Sequence, residues 1–378
     1  MKPSNARHIA ARARRIVVKV GTSTLTREGQ LRPRKFTDLA RQISELVDQG
    51  REVTLVSSGA IAAGARELGW DHPGHSIPEK QAAAAVGQIG LLELYRRRFA
   101  KRGKHVAQIL LTRSGLENRE RFLNARHTLL ELLRLGVVPI VNENDTVATD
   151  EIRFGDNDDL SANIVNLIGA ELLVILTDVD GLHAEKPIPG QPLPPLIELV
   201  PAITPEIRTA AQGSDNAFGR GGMITKLRAA ETAARSGAAT VLCNGCDREV
   251  LRRVTSGERV GTLVLPGRRL TSKKHWLAFT NRTRGELMID AGAARALLER
   301  GRSLLPAGIV EVRGRFRIGD AVACLDPEGR ELARGLVAYS AQDVARIKGH
   351  TTREIERVLG YSNGDEVIHR DDLVVLDR

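Results

Sequence analysis

The chain is poor in cysteine and in aromatic residues, and each scarcity removes a class of protein. Only Cys243, Cys246 and Cys324 occur. They are too few for a disulfide framework and fit a reducing, cytoplasmic setting. Cys243 and Cys246 form a lone C-x-x-C, whereas a structural zinc site asks for about four ligands and no second pair exists. Phe, Trp and Tyr together make 3% of the residues. No apolar run reaches the roughly 18 residues that a membrane-spanning helix needs. The opening segment MKPSNARHIAARARR is basic without an apolar core, so it reads as a lead-in to the first strand rather than a signal peptide. Also missing are an H-E-x-x-H pair and a Ser/His/Asp arrangement. His72, His75, His105 and His127 are scattered, which sets hydrolase and zinc chemistry aside.

What remains is globular. The 378 residues are 42% hydrophobic and 27% charged, enough for two domains with a large core. Lys and Arg total 56 against 46 Asp and Glu. Residues 1–280 hold 40 basic against 30 acidic side chains, and residues 281–378 hold 16 of each. The positive excess therefore sits entirely in the larger N-terminal part. Such an excess suits nucleic acid, a membrane surface or anionic small molecules.

Apolar runs predict strands at 16–20, 53–56, 106–111, 137–141, 172–176 and 240–243. Helical spacing alternates with them at 36–47, 60–68, 79–99, 120–135, 159–168 and 223–235. This alternation predicts an α/β three-layer sandwich around a mainly parallel sheet. Ligands of such sheets bind beyond the strand C-termini. The polar segments Gly21-Thr22-Ser23, Ser57-Ser58-Gly59, Asn142 to Asp145 and Thr177-Asp178 all fall there. After residue 270 the pattern changes to short alternating runs with glycine turns: strands at 286–289, 308–312, 321–325 and 335–339, helices at 293–300 and 341–347. The expected division is a first domain over 1–270, a linker over 271–280 and a small β-rich barrel over 281–378.

Lys19 lies at the end of the first predicted strand, and Lys226 follows the glycine-rich run Gly219–Gly222 at a helix start. Neither region has the G-x-x-x-x-G-K-[ST] or G-x-G-x-x-G spacing, so both common nucleotide signatures are missing. Two lysines beside glycine turns suit the charge of a transferring phosphoryl group. The run Asp156-Asn157-Asp158-Asp159 could cap a helix. One cap needs one such residue, not four. Asp145 would accept an ammonium, and Asn142 would donate to a carboxylate. Ser58 and Gly59 add hydroxyl and backbone donors. Together these groups fit an amino acid.

The stretches VVKVGTSTL (17–25), VSSGAIAAG (56–64), RFLNARHTL (121–129), VPIVNENDTVAT (138–149), FGDNDDLSA (154–162), VILTDVDGL (174–182) and GGMITK (221–226) resemble the amino acid kinase family. The likeness runs from Ile16 to about residue 370 and is closest to members acting on glutamate. Aspartate and acetylglutamate kinases favour a doubled glycine where this chain has Val20-Gly21. The tail resembles a PUA domain. The resemblance implies ATP-dependent phosphorylation of the γ-carboxylate of L-glutamate, the first step of proline synthesis, with Mg²⁺ entering on the nucleotide and no metal site of the protein's own. It assigns catalysis to Lys19, Asp158 and Lys226, with Asp158 holding the lysines. Glutamate would bind Ser58, Asn142, Asp145, Asp156 and Asn157. ATP would meet Lys19, Thr177, Asp178, Arg220, Gly221, Gly222, Met223, Ile224, Thr225 and Lys226. Arg220 stands where a small residue is usual, His183 where a tyrosine is, and Lys186 where an aspartate is. Proline as feedback inhibitor, a homo-oligomer and hand-off to a glutamyl phosphate reductase are further implications. The competing readings are a kinase for aspartate or acetylglutamate, and an RNA-binding protein. The electrically balanced, aromatic-poor tail argues against RNA, and no membrane partner is expected.

Overall fold

The computed structural model describes residues 6–27, 30–148, 157–185, 188, 191–212, 222–267 and 283–376. Two units divide the chain, residues 1–270 and 271–378. The expected linker at 271–280 lies outside the described residues, as do Asp156, Lys186, Arg220 and Gly221.

The first unit holds, among the described residues, an eight-stranded sheet. Its strands are β1 (Arg15–Val20), β2 (Glu52–Ser57), β3 (Val106–Leu111), β4 (Val138–Glu143), β5 (Leu172–Thr177), β6 (Leu199–Val200), β7 (Ala239–Asn244) and β8 (Thr262–Val264). They lie side by side as β3-β4-β2-β1-β5-β7-β8-β6. All neighbours are parallel except β7 and β8. β6 and β8 have two and three residues, too short to show a period, so the apolar pattern did not reveal them. β4 runs through Asn142 and Glu143, which pair with Leu110 and Leu111. The apolar run alone predicts a strand that stops at Val141, with both residues in the polar segment beyond it. Pairing with a neighbour outweighed their weak strand preference.

Helices cover both faces. α1 (Pro33–Asp48), α2 (Ala60–Glu67), α3 (Ile77–Ala100), α4 (Arg119–Arg134), α5 (Asp158–Ile168), α6 (Met223–Arg235) and α7 (Val250–Thr255) follow in chain order. Alternate residues of a strand point to opposite faces. Ile16, Val18 and Val20 therefore join a core with Phe36 and Ile43 of α1, Leu91 and Phe99 of α3, and Leu251 and Val254 of α7. α4, α5 and α6 pack on the face that receives Lys19. The result is the three-layer arrangement that the alternation predicts. Among the described residues no helix is long and apolar enough to cross a membrane.

α3 begins with a reciprocal cap between Ser76 and Glu79. It crosses α2 at unusually close range. A Cβ on Gly64 would lie 1.7 Å from the Ala83 carbonyl oxygen, and one on Gly87 would lie 2.0 Å from that of Ala60. Both positions therefore require glycine.

The second unit has its own sheet of β9 (Gly285–Ile289), β10 (Ile309–Gly314), β11 (Ala321–Leu325), β12 (Glu331–Leu336) and β13 (Leu373–Val375). The order is β10-β9-β11-β12-β13, with β9 and β11 parallel. Leu287, Val322, Tyr339 and Ile347 build its core. The strand expected at 335–339 is observed four residues earlier in its start, at Glu331. Val337 and Tyr339 are buried and continue the apolar alternation past the end of strand pairing.

Gly87→Ala should destabilise the first unit by at least about 1–3 kcal/mol, because the new methyl meets rigid backbone. Gly90→Ala should stabilise it by about 0.5–1 kcal/mol, since the nearest atom there is the Glu67 carboxylate at 3.7 Å. Urea unfolding of both variants checks the contrast, and equal shifts would remove the close crossing as its cause.

Candidate active site

The parallel register brings the C-terminal ends of β4, β2, β1 and β5 to one rim of the sheet. Lys19, one residue before the end of β1, reaches that rim from a buried position. Its Nζ lies 2.6 Å from Oδ1 of Asp158, the first residue of α5. Lys226, in the first turn of α6, places its Nζ 3.2 Å from the other oxygen, Oδ2. Thr225 Oγ1 donates to the same Oδ2 at 2.9 Å. The side chains of Lys19, Asp158 and Lys226 are 2%, 1% and 8% exposed. One carboxylate thus grips two ammonium groups almost out of water, where charge–charge forces are strongest. A bidentate pair between Arg228 and Asp159, at 3.1 and 2.6 Å, ties α5 to α6 beside this contact.

Asn157 occupies the cap position of α5 but makes no side-chain cap hydrogen bond. Its amide Nδ2 instead donates to Ser57 O at 3.0 Å, Ser58 Oγ at 3.2 Å and Asn142 Oδ1 at 2.8 Å. Asn142 Oδ1 also accepts from the Glu143 N–H at 2.9 Å, while its Nδ2 donates to Gln88 Oε1 at 2.8 Å. Asp145 is half-buried in the turn after β4, three positions beyond Asn142. Gly59 lets the chain leave β2 sharply: its φ of 106° is one that residues with a Cβ rarely adopt. Ser58, Asn142 and Asn157 are therefore assembled at one end of the rim, with Asp145 on the adjoining turn. Asn157 and Asp158 adjoin in sequence, so the first turn of α5 joins this polar group to the two lysines.

On the other side, buried Thr177 and exposed Asp178 end β5, and Thr177 Oγ1 donates to Asp178 Oδ1 at 3.0 Å. Gly222 precedes α6 and its carbonyl accepts from the Thr225 N–H at 3.2 Å, so Met223 and Ile224 carry the first N–H groups of the helix start. Met223 is buried and Ile224 exposed. The ring of His183 bonds the Pro194 carbonyl through Nδ1 at 2.6 Å, fastening the chain after β5 to a point 11 residues further on.

Sequence reasoning missed Gln88, Gln81 and Tyr95. Their signal was polar residues at regular spacing on an alanine-rich helix. The C-x-x-C does not act as a unit: Cys243 is buried in the core and Cys246 exposed. Burial pushes the Cys243 and Cys324 thiols up to about 12.

Residues 14–244 match the model of the amino acid kinase family, and residues 285–359 that of the PUA domain. Glutamate 5-kinase of Citrifermentans bemidjiense is 50% identical over 372 residues, spanning 98% of this chain and 100% of that one. Glutamate 5-kinase of Nitrosococcus oceani is 52% identical over 365 residues, spanning 96% and 97%. A solved UMP kinase from Bacillus anthracis overlays at a TM-score of 0.45 and 17% identity over 67% of this chain and 96% of that one, too loosely to bear on function.

Asp158→Ala should cost about 3–5 kcal/mol of stability, because it strips the buried lysines of the carboxylate between them. Denaturant titration measures this, and a loss below about 1 kcal/mol, the scale of a surface ion pair, would contradict it. In the native protein at pH 8 a thiol reagent should modify Cys246 alone, with all three cysteines reacting in denaturant. Thiols raised so far above the usual ~8.5 hold almost no thiolate at that pH. Rapid native modification of Cys243 would contradict its burial.

Proposed function

The chain belongs to the amino acid kinase family, and we propose that it transfers the γ-phosphoryl group of ATP to the side-chain carboxylate of L-glutamate, giving glutamyl 5-phosphate and ADP. The observation that carries this reading is the single carboxylate of Asp158 holding the ammonium tips of Lys19 and Lys226 at the sheet rim. The reaction opens proline synthesis.

A glutamate side chain has a pKa of about 4.3 and is already ionised at neutral pH, so the nucleophile needs no general base. Its oxygen attacks the γ-phosphorus, a new P–O bond forms, and the bond to the ADP oxygen breaks. The barrier is the approach of one anion to another. Lys19 and Lys226 would offset that repulsion, and Asp158 would keep both aimed at one point. Ser58, Asn142 and Asn157 would orient the acceptor, with Asp145 on its ammonium and Asp156 as a neighbour. Thr177, Asp178 and the segment from Arg220 through Gly221, Gly222, Met223, Ile224 and Thr225 to Lys226 would receive the nucleotide. The N–H groups of Met223 and Ile224 at the start of α6 suit its phosphates.

Mg²⁺ would arrive on the nucleotide. The donor set fits that route, since the buried carboxylate of Asp158 is taken up by both lysines and Mg²⁺ binds readily through phosphate oxygens and water. When bound, it supplies neutralisation of phosphate charge. The product is an acyl phosphate that water destroys, so hand-off to a reductase in the cytoplasm follows naturally from this chemistry. Assembly with further copies of the chain and inhibition by proline complete the proposal.

Incubation with ATP, Mg²⁺, glutamate and hydroxylamine should give glutamyl hydroxamate. Product from aspartate or N-acetylglutamate in its place would redirect the reading. Lys226→Ala should lower kcat by about 10²–10³-fold with little change in the glutamate KM, because its charge counts most in the transition state. Asp145→Ala should instead raise the glutamate KM by about tenfold or more, the cost of an unanswered ammonium. An unchanged value would end its assignment.

A further inference from the structure

α3 carries no residue that the proposed chemistry uses, yet it touches the substrate rim at regular intervals. Gln81 Nε2 donates to the Ala148 carbonyl at 3.1 Å, in the segment that follows Asp145. Gln88 Oε1 accepts from Asn142 Nδ2 at 2.8 Å. The Tyr95 hydroxyl bonds Ser57 Oγ at 2.9 Å in a buried contact. The three positions are seven apart, and seven residues at about 100° each return to nearly the same face of a helix. One stripe of α3 thus meets the end of β2, the end of β4 and the loop beyond β4.

Gln88 sits at the centre of this stripe and is 9% exposed. Its Nε2 is buried and has no hydrogen-bond partner among the described residues. A buried unpaired donor costs about 1–3 kcal/mol, and an apolar side chain of the same length would avoid that cost. The amide is useful through its other end. The acceptor at Gln88, together with the Glu143 N–H, keeps the Asn142 amide with its Nδ2 turned toward α3 and its Oδ1 turned toward Asn157. Reversing Asn142 would set two NH₂ groups against each other and release Asn157 from one of its three acceptors.

We propose that Gln88 is a positioning residue for the acceptor amino acid, fixing the amide orientation of Asn142 and through it Asn157, with Gln81 and Tyr95 holding the flanking backbone and hydroxyl. It touches substrate only through these neighbours. This rests on the reading that the polar end of the rim binds glutamate.

Gln88→Met keeps the length and removes the acceptor. Steady-state kinetics and urea unfolding should give a glutamate KM raised about tenfold, the factor one ordinary hydrogen bond is worth. The ATP KM should stay within about twofold, and the unfolding midpoint should be unchanged or higher. A residue needed only for packing would lower the midpoint and leave the two KM values in proportion. Gln81→Met, which frees the Ala148 carbonyl, should raise the glutamate KM in the same selective way. The proposal is overturned if Gln88→Met leaves the glutamate KM unchanged, raises both KM values equally, or loses activity only in step with stability. Absence of hydroxamate formation by the unaltered protein would instead end the functional reading on which it rests.

Discussion

Two lysine ammonium groups a few ångströms apart repel each other by about 3 kcal/mol even at an effective dielectric near 20. Lys19 and Lys226 nevertheless converge from a central strand and a distant helix, nearly out of contact with water. Asp158 makes that possible, and much of the surrounding structure serves to put it there. α5 packs along the sheet with every residue from Leu160 to Ile168 buried, so its first turn has little freedom to drift. The Arg228–Asp159 pair fixes α6 against it. Thr225 adds a donor to the same carboxylate oxygen that Lys226 contacts. The sandwich is in this sense a frame for one carboxylate.

The same turn joins the amide end of the rim to the lysine end. Asn157 faces Ser58 and Asn142, while the next residue faces the lysines. A helix start normally spends such side chains on its own free N–H groups. Here the cap is given up, and both side chains point into the rim. The loss of about 1 kcal/mol expected for a missing cap is of the kind that functional sites carry and folded cores otherwise avoid.

Much of this was legible in the residues. Alternation of apolar runs with helical spacing predicts a parallel sheet, and the rule that ligands sit beyond strand C-termini gathers Lys19, Ser58, Asn142 and Thr177 before any coordinate is known. The four-residue run at 156–159 exceeds what a cap needs, which points to another use for Asn157 and Asp158. Other features escape for definite reasons. Strands of two and three residues show no period. Asn142 and Glu143 look like loop residues because their strand pairing comes from Leu110 and Leu111, far away in sequence. Gln88 looks like one more polar residue on a helix. Its importance lies in which donor it faces, Asn142 Nδ2, and that depends on how closely α2 and α3 cross at Gly64 and Gly87.

That crossing links packing to chemistry. α3 lies close because two glycines let backbone meet backbone, and closeness is what brings Gln81, Gln88 and Tyr95 within hydrogen-bond range of the rim. The helix therefore carries two periodicities at once: Leu91 and Phe99 for the core, and a polar stripe seven residues in step for the site. A side chain that answers to both demands is compromised in each. Gln88 shows the outcome, buried like a core residue yet retaining an unpaired donor. The reaction itself moves no proton onto an enzyme base. What the protein must provide is fixed charge at one end of the rim and fixed amide orientation at the other, and both depend on groups held in place by neighbours that never meet the reacting atoms.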